Sequence, residues 1–545
     1  MRQFAAILIM LFIMTGMASC SPYRYEEVIP VVEKMTIERK IGQMMMPAIP
    51  GTHIGTPTRE IIRQCMPGGI ILFGFNLENR AQTIELISSL QDESMARSGI
   101  PLFVSIDQEG GRVKRVRDGV TQFPGSLAFG VVNNEDLMYR AARITGLELR
   151  QTGVNMNLAP VLDVNNNPMN PVINTRSFGS EPGIVARMGV AYIKGLQAGK
   201  CIAVGKHFPG HGDTDRDSHH TLPVIRYDMK RLRNVELVPF KKAIEYGVEG
   251  IMTAHIAYPE ILDSMKPATI SSYFLKELLR DKMKFKGLVL TDDMEMKGIA
   301  GVASAGEGAV KAVQAGADII LISSYGKNVT DIYNSLLRAV KDGIISEERI
   351  DRSVTRILEQ KVRYNIMETN EQVITPAKFL LSEDEKKLLS EAESINNRVS
   401  RQAEYFHADD RVPFSRYVIK DNGRNAVIIT ENKRTASLFK AAFPGITVLP
   451  RWDAKKVSGK MIYLVSYSAS YRKFKDIITK KNVTIDRVLI IHTGNPFTLA
   501  KNVPIPPTLF TFSNTRGSIE AAIHSLGGKY EPRRKINVNL GFKTP

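Results

Sequence analysis

Four of the chain's nine histidines and three aspartates fall within the eighteen residues KHFPGHGDTDRDSHHTLP, Lys206 to Pro223. Three readings compete for such a stretch: a metal site, a proton-transfer loop, or a solvated polar turn. A metal site would draw on His207, His211, His219 and His220, but two of these lie in or beside a PGHG turn. No HxxxH or HExxH pattern sits on an expected helix either. Proton transfer asks for one histidine whose tautomer and basicity are set by a carboxylate. Asp217 and His219, two apart across Ser218, can meet side by side in a loop. An isolated D-x-H triplet is usually a turn cap. Here the density of Gly, Pro and His directly after an apolar run shifts the balance towards a functional loop.

Two further segments end apolar runs in charged groups. GLVLTDDMEM closes on Asp292 and Asp293. Side chains alternate along a strand, so one of the pair faces inward and the other away, and periodicity does not say which. The inward carboxylate could be a nucleophile or stabilise a cationic transition state, while its neighbour caps the next helix. SIDQEGGRVKRVR places Asp107 where it could accept hydrogen bonds from a polyhydroxylated ligand, and Gly110 and Gly111 permit close backbone approach. Arg115 and Arg117 alone would pass as surface charge. Arg176, in NTRSFG, falls after another apolar run.

These groups need a scaffold that gathers strand ends. Apolar segments recur at 41–49, 68–75, 101–107, 154–164, 201–208, 250–256, 287–293 and 317–324, each pair leaving room for one helix. Leu237, Phe240 and Ile244, and again Tyr333, Leu336 and Leu337, keep helical spacing in those intervals. Eight strands alternating with helices predict an α/β fold with an N-terminal (β/α)8 TIM barrel, whose site forms at the C-terminal strand ends. Every charged group above falls at such an end. The barrel is expected over 21–375 and a linker carrying one helix over 376–415. A smaller C-terminal α/β sandwich domain is expected over 416–545, with strands near 425–430, 446–450, 461–468, 488–494 and 508–513.

Residues 1–20, MRQFAAILIMLFIMTGMASC, read as an export signal: Arg2, an apolar run too short to span a bilayer, then small residues before Cys20. Met17-Ala18-Ser19-Cys20 resembles a bacterial lipobox, which makes Cys20 a lipidation site and the membrane a partner through that anchor. Localisation at the cell envelope follows. Cys65 and Cys201 then remain, both in apolar surroundings that suit buried free thiols. The net charge of +17 favours anionic headgroups or envelope polymers. Nucleic acid is not an expected partner, because no groove-reading helix or aromatic-basic motif is present.

MTIERKIGQ (35–43), SIDQEGGRV, NTRSFG, KHFPGHGDTDRDSH and LLRDKMKFKGLVLTDDMEM (278–296), taken in order, resemble glycoside hydrolase family 3, in its bacterial β-N-acetylglucosaminidase branch. SNTRGSIEAAIHSLGG (513–528) is similar, more weakly, to the end of that family's second domain. The resemblance implies Asp292 as nucleophile, His219 as general acid/base with Asp217 as its partner, and sugar-binding roles for Asp107, Arg115, Arg176, Lys206 and His207. It also implies a glycan substrate with terminal β-GlcNAc; no cofactor or metal is expected, a metal-dependent hydrolase being the third reading. Phosphorolysis, or β-glucosidase action, is the alternative within the family. A sugar-binding lipoprotein without activity is the alternative outside it, and the intact Asp292, Asp217 and His219 speak against that. Glu295 departs from the pattern, standing where the family usually has a smaller residue.

Overall fold

The structure is a computed structural model that describes residues 25–218, 220–370, 373–376, 379–407, 414–451, 453–457, 460–466, 488–493, 507–513 and 515–533. Cys20 and His219 lie outside the described residues. The apolar runs form short parallel strands: β1 (Met45–Pro47), β2 (Gly69–Leu72), β3 (Phe103–Ile106), β4 (Met156–Asn157), β5 (Ile202–Phe208), β6 (Gly250–Thr253), β7 (Leu288–Leu290) and β8 (Ile320–Ile322). Strands β2 to β7 pair in chain order and β1 pairs with β8. Parallel bridges at Ala48–Ile71 and Leu290–Ile319 join the two groups, so the sheet closes into a barrel. All of these strands are buried along their whole length, which is why they read as continuous apolar runs rather than alternating ones.

Local chemistry sets the helix ends. Helix Arg80–Ser98 starts where the Asn79 side chain accepts from the Gln82 N–H and stops at Gly99, in the left-handed region at φ 67°. The last barrel helix, Glu347–Arg363, is capped by Ser346 and buries Ile350, Val354, Ile357 and Leu358. No helix among the described residues is long and apolar enough to cross a membrane. Cys65 and Cys201 are buried free thiols, and burial pushes each up to about 12.

After a hairpin of β9 (Met367–Asn370) and β10 (Val373–Pro376), the single helix expected in the linker is two, Glu383–Ser390 and Ala392–Gln402. The first is closed by a Ser382–Glu385 capping box. The linker span also holds a strand, β11 (Tyr405–His407), so the second sheet begins earlier than the sequence suggests. That sheet runs β13 (Thr447–Leu449), β12 (Ala426–Ile429), β14 (Met461–Ser466), β15 (Val488–His492), β16 (Thr508–Phe510), β11, with only β11 antiparallel. Alternation along its strands divides the burial. Val427, Ile462, Val488 and Ile490 join the apolar core that continues into the barrel, while Ile428, Tyr463, Leu489 and Ile491 fill a separate cluster.

Glu404 sits fully buried in this second layer, where its Oε2 accepts from the Ser525 hydroxyl and its Oε1 has no partner among the described residues. Burial pushes its carboxyl up to about 8 from the ordinary 4.5, outweighing the Ser525 hydrogen bond. A native pKa above the unfolded one contributes stability that is complete below pH 4.5 and is lost as pH rises through about 8. Glu404→Gln is therefore expected to flatten the fall in thermal midpoint across that window, as read by scanning fluorimetry. An unchanged slope would assign the pH dependence elsewhere.

Candidate active site

The C-terminal strand ends surround a cavity of about 420 Å³. Asp107 and Arg115 reach it from beyond β3, Arg176 from beyond β4, Lys206 and His207 from the end of β5, Asp217 from the loop that follows, and Asp292 from beyond β7. Arg117 is exposed and does not line it.

One wall is a chain of buried ion pairs. Arg115 Nη2 lies 3.1 Å from Asp107 Oδ2, and Lys206 Nζ lies 2.7 Å from Asp107 Oδ1 and 2.8 Å from Glu109 Oε1. Arg176 grips Glu109 with two hydrogen bonds, Nε to Oε2 at 2.9 Å and Nη2 to Oε1 at 2.8 Å. Burial penalises the charges of Asp107, Glu109, Arg176 and Lys206, and each is held by the opposite charge beside it. Lys206 is raised by Asp107 and Glu109, while Glu109 is pulled well below the carboxylate range by Arg176 and Lys206. The donors are thereby fixed before any ligand arrives.

His207 is set by a further carboxylate. Asp163, fully buried, lies 2.7 Å from His207 Nδ1, and its Oδ1 accepts the backbone N–H of His207 at 3.1 Å and of His211 at 2.7 Å. With Nδ1 engaged, Nε2 is the nitrogen left towards the cavity, 3.5 Å from Arg176 Nη2. The Lys206–His207 and Phe208–Pro209 peptide bonds are cis.

Both aspartates after β7 line the cavity, contrary to the expectation that one of them faces away, and it is their hydrogen bonds that tell them apart. Asp293 accepts the Ser323 N–H and hydroxyl, at 2.9 and 2.6 Å, and the Glu295 N–H at 3.2 Å, so it is the bracing member of the pair. Burial raises its carboxyl. Asp292 accepts only the Asp293 N–H, at 2.9 Å, among the described residues. Burial alone would raise Asp292 too, but His207, His255, that N–H and Lys206 outweigh it and hold the carboxyl below its ordinary value. It is therefore an available, ionised carboxylate. Glu295 turns aside to accept from the Asn328 side chain at 2.7 Å.

The His-rich loop is braced at His211, while Asp215, Arg216, His220 and Thr221 are exposed. His211 is buried with Nδ1 2.9 Å from the Thr214 hydroxyl and Nε2 2.9 Å from the Ser218 hydroxyl. Burial, with the neighbouring His207, brings it down to about 4, so it stays neutral. Gly212 packs where a Cβ would come within 1.8 Å of the Val164 carbonyl oxygen. The Ser218 carbonyl accepts the Gly298 N–H at 3.1 Å, which ties this loop to the segment following Asp292. Among the described residues, no group of three His, Cys, Asp or Glu side chains is placed to hold a metal ion.

Glu109, Asp163 and His255 belong to this site and escape the reading of the sequence. Glu109 carried a signal, since it stands two residues beyond Asp107. Asp163 did too, as a lone acid inside the apolar run VNMNLAPVLDV. His255, whose Nε2 lies 2.9 Å from the Asp293 carbonyl oxygen and whose Nδ1 lies 2.9 Å from the Thr269 hydroxyl, stands just past β6 like the other site residues. Gly110 and Gly111 do allow close approach, but to their own chain: a Cβ would meet the Pro124 carbonyl oxygen at 2.8 Å and the Gly125 Cα at 2.7 Å.

The family "Glycosyl hydrolase family 3 N terminal domain" matches residues 36–360. Beta-hexosaminidase A of Pseudoalteromonas piscicida is 36% identical over 326 residues, covering 56% of this chain and 54% of its own, so the chain spans about half the length of that relative. A beta-hexosaminidase of Nitrosomonas eutropha (strain DSM 101675 / C91 / Nm57) is 36% identical over 302 residues, covering 54% of this chain and 84% of its own. Among solved structures, a glycoside hydrolase family 3 beta-N-acetylglucosaminidase from Paenibacillus sp. str. FPU-7 superposes with a TM-score of 0.82 at 33% identity, covering 94% of this chain and 99% of its own.

Proposed function

Since the chain belongs to glycosyl hydrolase family 3, we propose that it is a retaining exo-β-N-acetylglucosaminidase. The observation that carries this reading is the state of Asp292: ionised, facing a cavity walled by fixed hydrogen-bond donors, with its neighbour Asp293 committed to bracing. Asp292 attacks the anomeric carbon of a terminal β-GlcNAc while His219 protonates the departing oxygen, leaving a covalent glycosyl-enzyme. His219 then takes a proton from water, which attacks the same carbon and releases Asp292. Asp217, two residues before His219 and lining the same cavity, orients the imidazole and stabilises its charged form. Asp107, Arg115, Arg176, Lys206 and His207 hold the sugar's hydroxyls and acetamido group.

The enzyme works at the cell envelope, exported and lipid-anchored at Cys20, on peptidoglycan fragments or other glycans ending in β-GlcNAc. Release of p-nitrophenol by the purified chain tests the reading. The β-N-acetylglucosaminide is expected to turn over in preference to the β-glucoside, and at a rate that added phosphate does not raise. No turnover of either substrate, with or without phosphate, would point to a binding protein instead.

A further inference from the structure

The rim of the cavity carries an aromatic pair that the chemistry above leaves unused. Phe73 is half-buried and lines the cavity, whereas Phe75 is 58% exposed. Their rings stack, with centroids 5.7 Å apart and planes 13° from parallel. The Arg115 guanidinium, which also pairs with Asp107, lies 5.8 Å from the Phe73 centroid. Arg115 thus connects the ion-paired wall to the aromatic pair.

The segment bearing Phe75 is held in place. Asn76 is fully buried; its Oδ1 accepts the Phe73 N–H at 2.9 Å, and its Nδ2 donates to the carbonyls of Ile49 and Gly51 at 3.0 and 2.7 Å. Gln82 Nε2 donates to the Asn76 carbonyl at 3.1 Å. Asn76 thereby pins the turn Gly74–Asn76 from beneath while Phe75 points into solvent. A scattered exposed phenylalanine needs no explanation. One that is stacked on a cavity-lining ring, and presented by a fixed turn, is a preformed flat apolar surface continuous with the site.

A pyranose ring offers such a surface its matching partner, a face of C–H groups with hydroxyls around the edge. We propose that Phe75, backed by Phe73, is the platform for the aglycone sugar. On this proposal, the ring on the leaving side of the scissile bond stacks on Phe75 while the terminal GlcNAc occupies the ion-paired cavity. Phe75 then selects substrates whose leaving group is itself a pyranose. This rests on the hexosaminidase reading and adds the class of leaving group to it.

The test compares N,N′-diacetylchitobiose, whose aglycone is a sugar ring, with the β-azide of GlcNAc, whose aglycone has none. p-Nitrophenyl glycosides are avoided because their own ring could stack. Phe75→Ala is expected to lower kcat/KM on the disaccharide about tenfold, chiefly through KM, as loss of one aromatic anchor does. The azide should be unaffected, and Phe75→Trp should keep the disaccharide activity. An equal loss on both substrates, or no loss on the disaccharide, overturns the platform while leaving the hexosaminidase reading intact. A parent chain that cleaves neither substrate overturns both.

Discussion

Asp292→Ala is expected to lower kcat on p-nitrophenyl β-N-acetylglucosaminide by about ten-thousand-fold or more, the scale on which losing a nucleophile acts. The side chain braces nothing else: its one hydrogen bond among the described residues comes from the N–H of Asp293. The folded barrel should therefore survive the substitution, and KM should not rise in proportion. Intact mass spectrometry supplies a second readout. The parent chain, given a slow fluorinated GlcNAc donor, should gain the mass of one glycosyl unit, and the alanine variant should gain none. A variant that kept more than about a hundredth of the parent rate would show that another group attacks.

Glu109→Ala should cost both stability and activity. Its side chain, 2% exposed, is gripped by Arg176 and Lys206 together. Removing it leaves Arg176 without its bidentate partner in a buried setting, and Lys206 with Asp107 alone. Breaking a buried ion pair from one side typically costs about 3–5 kcal/mol. A fall of that order in the free energy of unfolding is expected from denaturant titration. A loss of about a hundredfold in kcat/KM is expected as well, because two cavity-lining donors, Arg176 and Lys206, lose their fixed positions. Unchanged stability would mean that the network is dispensable to the fold.

Much of this architecture is legible in the sequence, and the reasons differ by element. Strands buried on both faces, such as GIIL and FVSI, announce themselves as unbroken apolar runs between turn residues, and each observed barrel strand lies inside its expected range. Strand β11 is not legible. Tyr405–His407 is a three-residue strand that pairs antiparallel with β16, a hundred residues away, so no local pattern could mark it. The residues of the site divide in the same way. Asp107, Lys206 and Asp292 stand at the ends of clear strands. Which of Asp292 and Asp293 is available was not decidable from alternation, because the answer lies in the hydroxyl and N–H of Ser323, thirty residues downstream. Glu109 and Asp163 are only faintly marked in the sequence, for a related reason. Each acts through a cation or imidazole from β5 or beyond β4, and sequence spacing does not record partnership across a barrel.

The hydrogen bond from Gly298 to the Ser218 carbonyl has a consequence for how this site can be rebuilt. It joins the loop after β5 to the segment after β7, at a glycine whose Cβ would press on the Ser218 carbonyl oxygen at 3.0 Å and on the His255 Cβ at 3.1 Å. Neither loop therefore takes its shape alone. A protein engineer who grafts the His-rich loop onto another barrel inherits half of a joint, and any residue larger than glycine at the receiving position would displace what was transplanted. The smallest interchangeable part of this catalyst is the two loops together with their shared glycine.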